Sequence, residues 1–416
     1  MARVRLYIAP FDDTGALSLD GAGEIDNWRE ITKDVHMSSI DSVTEKLDRT
    51  DFETGLISVS SMSFRILNKN GYYSEVGTNY TWFKYRRKGT PFKMTFDWAD
   101  FEPMLDIVKF PFRFSDEQTV FYGFLDDKQA DSDIKSHSLT FQVIGREKLL
   151  SDAFVPAGLT AGVSTVSAAL LLILDQAPIN EHLDIDAGNF SLSYDPVLDV
   201  VSHFTGMLVK DALQELLNIG SAVAYIGADD ALIISPRTES ADVGWTFRGP
   251  ACESGIQNVN HISKIHPGEG QVRNYITIKD SAIVSEDATS IDKNDPQPLI
   301  IDVPPITDNT KRQTIADNTK NLLRNKKQKI LVEAPYNETL AALPFYTKVL
   351  VDSPALYVTG SSTGIYEVSP YNEPTTYAVP LSSFEIGSDV EWVIVGKRRT
   401  YRLDKLKIEV DLRRVS

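Results

Sequence analysis

Cysteine is almost absent: Cys252 stands alone in 416 residues. An intramolecular disulfide is therefore impossible, and so is a zinc site built on several thiolates of one chain. Cys252 itself reads as a small inert thiol. Histidine is also scarce, with His36, His137, His182, His203, His261 and His266 making up the set. None pair at the i, i+4 spacing of a helical zinc site, and His261 and His266 have no Glu between them, so neither points to a metal. Long apolar runs are missing too. The longest, at 168–174, falls far short of the roughly 20 residues a membrane-spanning helix needs and reads as one buried helix. The first ten residues alternate like a strand and hold no apolar core of a signal peptide, so membrane insertion and secretion by that route are not expected. Positive charge is in deficit, 42 Lys and Arg against 58 Asp and Glu, a net −16. That balance argues against DNA binding as the main task, which needs clustered cations, and suits a wall past which nucleic acid slides.

Catalytic signatures are equally thin. Gly360-Ser-Ser-Thr-Gly364 matches the nucleophile elbow with Ser362 as nucleophile. The strand-like Ile365-Tyr-Glu-Val368 follows where a helix is required, and no histidine follows His266, so a Gly/Ser turn explains the string. Carboxylate pairs at Asp12-Asp13, Asp126-Asp127 and Asp229-Asp230 could be imagined as a glycosidase acid and base, but all three fall where turns are expected. The run Asp184-Ile-Asp-Ala-Gly-Asn189 departs from a calcium loop in its glycine position and lacks the closing Glu, leaving a solvated turn. No phosphate-binding glycine loop is present. No catalytic residue, cofactor or metal is assigned, and the chain is not expected to be an enzyme.

What the sequence does hold is alternation. Val4, Leu6 and Ile8 alternate with Arg3, Arg5 and Tyr7, the mark of a strand with one buried face. Ile57 and Val59 share one parity and Met62, Phe64 and Ile66 the other, which reads as a β-bulge at Ser60-Ser61. Residues 121–125 and 139–144 frame a long hairpin around a polar stretch. Aromatics crowd 82–114, as an all-β core of rings would require. After residue 151 the spacing turns helical at 163–176 and 209–219, with Gly220 as the stop, and a hairpin follows across 227–230. Residues 281–309, rich in Ser, Asp, Asn and Pro, read as a long loop, and 310–327 as a helix carrying Lys311, Arg312, Lys326 and Lys327. Residues 353–383 look like an insertion or arm. The chain closes on Leu406, Ile408, Val410 and Leu412 alternating with Lys407, Glu409, Asp411 and Arg413. The fold class expected is mainly β with minor α, in several domains.

The order of these pieces resembles bacteriophage tail hub or baseplate hub proteins. The resemblance is carried by Ile57-Ser-Val-Ser-Ser-Met-Ser-Phe-Arg-Ile-Leu-Asn-Lys-Asn-Gly71, Gly89-Thr-Pro-Phe-Lys-Met-Thr-Phe96, Val120-Phe-Tyr-Gly-Phe-Leu125 and Val143-Ile-Gly145. The helix-hairpin unit at 211–237, Asn274-Tyr-Ile-Thr-Ile278, the helix near 316–325 and the closing strands follow in the same order. It implies two tube-type β-barrel or sandwich domains related by duplication, with smaller decorating domains. The boundaries would be 1–155 for the first, 156–241 for a small α/β domain, 242–335 with 390–416 for the second, and 336–389 for an inserted domain or arm. It further implies a homotrimeric ring at the virion tail tip, assembled in the host cytoplasm. Its partners would be a distal tail or tail-tube protein, the tape-measure protein and a central spike or fibre, with DNA only in passage. Glu409 and Asp411 are candidate channel-lining residues. Lys311, Arg312, Lys326, Lys327, Arg398 and Arg399 are candidate docking residues for acidic neighbouring subunits. A carbohydrate-binding adhesin and a tail-associated peptidoglycan hydrolase are the alternatives.

Overall fold

A computed structural model describes residues 3–9, 28–40, 43–46, 55–56, 60–67, 89–97, 118–133, 138–158, 165–176, 179–227, 231–237, 242–249, 257–266, 272–325, 328–352, 390–402 and 405–415. The chain is mainly β with minor α. Its first sheet is assembled from β1 (Arg3–Ile8), β2 (Arg29–Glu30), β5 (Ser61–Leu67), β6 (Pro91–Asp97), β7 (Gln118–Asp133) and β8 (Ser138–Gly145) in the order β2-β1-β6-β7-β8-β5. The two short strands between them, β3 (Val43–Lys46) and β4 (Gly55–Leu56), belong to other sheets.

The expected alternation is what builds this core: Val4, Leu6 and Ile8 from β1 meet Met62, Phe64 and Ile66 from β5 on one buried face. Phe64 and Phe92 stack with ring centroids 5.3 Å apart. Their strands are three places apart in the sheet, roughly 14 Å if it were flat. The sheet is therefore curled into a half-barrel. Residues 31–40 bridge its open side, with Ile31 N–H donating to the Leu6 carbonyl at 2.8 Å and His36 N–H to that of Arg65 at 2.8 Å.

A helical unit follows. Its elements are α1 (Lys148–Asp152), α2 (Val166–Leu174), α3 (Val209–Gly220) and the hairpin β9 (Ala222–Ile226) and β10 (Leu232–Pro236), with β4 added parallel to β9. The stop of α3 is one residue later than expected: Ser221, not Gly220, takes the left-handed conformation, at φ 49°. Residues 281–309 are not a loop. After β11 (Val243–Arg248), β12 (His261–His266) and β13 (Tyr275–Ile278), they form β14 (Val284–Glu286), α4 (Ala288–Asn294) and β15 (Pro298–Ile301). Helix α5 (Asn309–Leu323) covers this three-stranded sheet, and Ile276, Ile278, Ile301, Ile315 and Ala316 join the same apolar cluster as α2 and α3.

The second large sheet contains β16 (Lys329–Pro335), β17 (Lys348–Asp352), β18 (Glu391–Arg402) and β19 (Lys405–Arg414) in the order β11-β17-β18-β19-β16-β12, while α6 (Glu338–Ala342) lies between β16 and β17. Ile408, Val410 and Leu412 are fully buried, as the closing alternation requires. Ordered by position in the chain, both large sheets repeat one arrangement: β1-β6-β7-β8-β5 matches β11-β17-β18-β19-β16. The repeat differs at its first strand, antiparallel to its neighbour in one sheet and parallel in the other. Strand β3 pairs with β18, so the N-terminal segment enters the second sheet.

Ile57 and Val59, on which the reading of a bulge at Ser60-Ser61 rests, lie outside the described residues. Strand β4 ends at Leu56 in the small sheet and β5 starts at Ser61 in the first. Residues 82–85, 98–114 and 353–383, with Ser362, lie outside the described residues.

Candidate functional site

The two large sheets and the small hairpin meet around a pocket of about 120 Å³. Ser60, Thr119, Tyr122, Arg146 and Glu147 face it from the first sheet and its margin, Tyr225 and Gly227 from β9 and its end, and Lys397 and Arg399 from β18. Residues 341–343 and Phe345 close it beside α6.

Glu147 follows β8 directly and is buried, 7% exposed. Both of its oxygens lie 3.2 Å from the Ser60 hydroxyl. Gly145 makes this possible, since a Cβ there would overlap both the Ser60 hydroxyl and the Glu147 carboxyl. Burial outweighs the hydrogen bonds and the nearby Arg146, and holds the Glu147 carboxyl up at about 7. Arg146 is fixed from two sides, its guanidinium 3.6 Å from the centre of the Tyr122 ring and its Nη1 donating to the His182 carbonyl at 2.7 Å.

Lys397 is 4% exposed. Its ammonium donates to the carbonyls of Ala341, at 2.9 Å, and Leu343, and lies 5.1 Å from the centre of the Phe345 ring. Burial brings its pKa down to about 7. Its inward aim comes from a bulge. The register of β18 on β19 shifts between Ile394 and Gly396, so Lys397 and Arg399 fall opposite the buried Val410 and Ile408. Arg398 takes the other face, opposite Glu409.

The residues singled out from sequence are scattered. On α5, Lys311 is engaged within the chain: its ammonium donates to Asp199 at 2.5 Å and to the Val197 carbonyl at 2.8 Å. Arg312 donates to the Ile306 carbonyl at 2.7 Å. Lys326 and Lys327 lie outside the described residues. Glu409 faces away from the Ile408 and Val410 core, where Lys407 donates to both Glu409 and Glu333, and Arg398 stands 3.6 Å from Glu409. Asp411 shares that face and lies across Gly396. Of the candidate docking residues that are described, Arg399 alone reaches the pocket.

One carboxylate of the expected turn pairs departs from expectation. Asp126 sits within β7 and is buried, not in a turn. The residues at 12–13 and 229–230 lie outside the described set. The turn at 184–189 is as expected, with Asp186 accepting from Gly188 N–H at 2.8 Å. Among the described residues no group of three or more His, Cys, Asp or Glu side chains could hold a metal ion, and no helix is long and apolar enough to cross a membrane.

Two large β sheets set about a helix-hairpin unit make up a fold that known tail proteins share. Two solved structures share it along almost the entire chain. One is the tail protein from Neisseria meningitidis MC58, 12% identical with a TM-score of 0.57, the match covering 99% of this chain and 96% of that one. The other is the 43 kDa tail protein of prophage MuSo2 from Shewanella oneidensis, 10% identical with a TM-score of 0.52, covering 99% and 97%. At such identities the likeness is one of fold. No family model matches the sequence, and no curated protein matches it.

Proposed function

We propose that this chain is a structural subunit of a bacteriophage tail tip, a hub that closes into a ring and joins the tail tube or distal tail ring to a central spike or fibre. The observation that carries the reading is the tail-protein fold extending over 99% of the chain. The repeated strand order supports a subunit with two equivalent β modules, proposed at residues 1–155 and at 242–335 with 390–416, the second also taking in β17, so that a homotrimer presents six modules around one axis. The α/β part at 156–241 and the segment that follows β17 up to residue 389 decorate these modules.

The ring acts through geometry rather than catalysis, holding the tape-measure protein and then passing DNA through its lumen. A net charge of −16 suits that passage because it repels phosphate. The face of β19 that bears Glu409 and Asp411 is the proposed lumen side. It also bears Lys407, which bridges Glu333 and Glu409, so its charge is balanced locally. The remaining basic residues at 398, 399 and 311–327 dock acidic neighbours to the extent that their intrachain partners release them.

The test is the state of assembly of the purified full chain. Light scattering should give a trimer, and negative-stain images a ring with a central hole. A monomer at every concentration, absent from purified particles, would overturn the proposal.

A further inference from the structure

We propose that the pocket between the sheets binds a small oxyanion, a phosphate or a carboxylate, held by Arg146, Lys397 and Arg399. Two separate stretches of chain bring these three cations to one space of about 120 Å³. That is room for several waters or for one oxyanion with fewer, since a single water takes roughly 10–15 Å³ on such a measure. In a chain of net charge −16 a concave site lined this way goes against the overall balance.

Glu147 is the carboxyl among the described residues that faces the same space, and at pH 7 it is only about half ionised, so it offsets the cations in part, and progressively less below that. Burial beside the Ser60 hydroxyl keeps it protonated up to about 7. The other titratable groups facing the pocket are Tyr122 on β7 and Tyr225 on β9, the latter pushed up to about 12 by burial. Thr119, Tyr122 and Tyr225 add hydroxyl-bearing side chains to the wall.

The cations are held in place before any ligand arrives. Arg146 packs over the Tyr122 ring and is tied to the His182 carbonyl. Lys397 is tied to the carbonyls of Ala341 and Leu343. Such preorganisation lowers the entropic cost of binding, and a guanidinium offers paired donors that match phosphate and carboxylate oxygens. An anion beside Lys397 also favours its charged form, so binding draws a proton onto the amine as pH rises past 7.

Calorimetric titration of the full chain with sodium phosphate and, separately, sodium acetate at matched ionic strength tests this. One site per chain is expected for at least one of them, with proton uptake revealed by repeating the titration in buffers of different ionisation heat. Phosphate alone, acetate alone or both would support the site and tell the sources apart. Arg399→Gln should weaken binding about tenfold or more with an unchanged circular dichroism spectrum. Lys397→Met should remove the proton uptake. Should neither anion bind the wild-type chain, or should Arg399→Gln bind as tightly as wild type, the proposal fails. Neither result bears on ring assembly, which is measured separately.

Discussion

Stability of the folded chain should pass through a minimum near neutral pH, because two buried groups act in opposite directions on either side of it. Glu147 titrates at about 7 when folded and at its ordinary 4.5 when unfolded. Between those values the folded chain keeps a proton that the unfolded chain has lost, so stability is fully present below 4.5 and falls as pH rises through 7. At about 1.4 kcal/mol per pH unit, that interval amounts to about 3 kcal/mol. Lys397 titrates at about 7 folded and 10.5 unfolded. Here the unfolded chain holds the extra proton between the two values, so the stability present above 10.5 is lost as pH falls to 7. The same conversion gives about 5 kcal/mol, less whatever the two carbonyl hydrogen bonds of the charged form return.

Thermal unfolding of wild type, Glu147→Gln and Lys397→Met, followed at about pH 5, 7 and 9, resolves the two limbs. Glu147→Gln keeps a partner for the Ser60 hydroxyl but cannot ionise. It should match wild type at the acid end and exceed it by up to about 3 kcal/mol at the alkaline end. Lys397→Met should flatten the rise above neutrality. Comparing each variant with wild type at the same pH removes the contribution of every other carboxylate and histidine. A Glu147→Gln curve parallel to that of wild type would show that the carboxyl is not buried as described.

Asp199→Ala should destabilise the chain by about 2 kcal/mol in chemical denaturation, because its carboxylate accepts from Thr307 N–H at 2.7 Å, Asp308 N–H at 3.0 Å and the Lys311 ammonium at 2.5 Å, while being 22% exposed. Those partners hold the Asp199 carboxyl well below the usual range, so the stability it contributes is present above its unfolded value of 3.8 and is lost only as pH falls further; loss already at mild acidity would contradict this. Asn274→Ala should cost about 2–3 kcal/mol and speed hydrogen exchange at 284–298, since Asn274 accepts from Gln297 N–H at 2.7 Å and donates to the Asp295 carbonyl at 3.0 Å while fully buried. Phage particles carrying Glu409→Lys with Asp411→Lys should assemble but eject DNA more slowly at low than at high salt, because exposed charges act over shorter range as salt rises; normal ejection at both would take β19 off the lumen.

The strands with one buried face were legible because their period is two: Val4, Leu6 and Ile8, and later Ile408, Val410 and Leu412, fall into apolar cores as read. Helices α3 and α5 showed through their apolar spacing for the same kind of reason. Residues 281–309 misled through composition. Their Asp and Ser side chains do the work of caps and cross-links: Asp287 accepts from Ser290 N–H, Asp308 from Thr310 and Lys311 N–H, and the Ser290 hydroxyl donates to the Arg324 carbonyl. A stretch rich in turn residues can therefore be a set of short elements joined by their ends.

The pocket was not legible, and one register shift accounts for much of that. Lys397, Arg398 and Arg399 are consecutive in the sequence, and only Arg398 and Arg399 of them stand as candidate docking residues there. The bulge between Ile394 and Gly396 turns the first and third of them inward and leaves Arg398 opposite Glu409. Glu147 gave no signal at all, because its burial depends on Ser60, which is 87 residues away in the chain, and on the missing side chain of Gly145.

The repeated strand order explains why these distant pieces meet. Each copy of the pattern ends in a long hairpin, β7 with β8 and β18 with β19, and each hairpin contributes its own residues to the pocket wall: Thr119 and Tyr122 from one, Lys397 and Arg399 from the other. In the second sheet one edge of β18 is shared, pairing with β17 at Trp392 and Val393 and with β3 from Gly396 to Arg399. The pocket-facing residues of β18 are thus backed by a strand that comes from the N-terminal part of the chain. Displacing β3 would uncover that edge of β18, while the first sheet would keep its own ladder from β1 to β5. Strand β3 and the pocket are thus two places where the N-terminal part of the chain meets the second sheet.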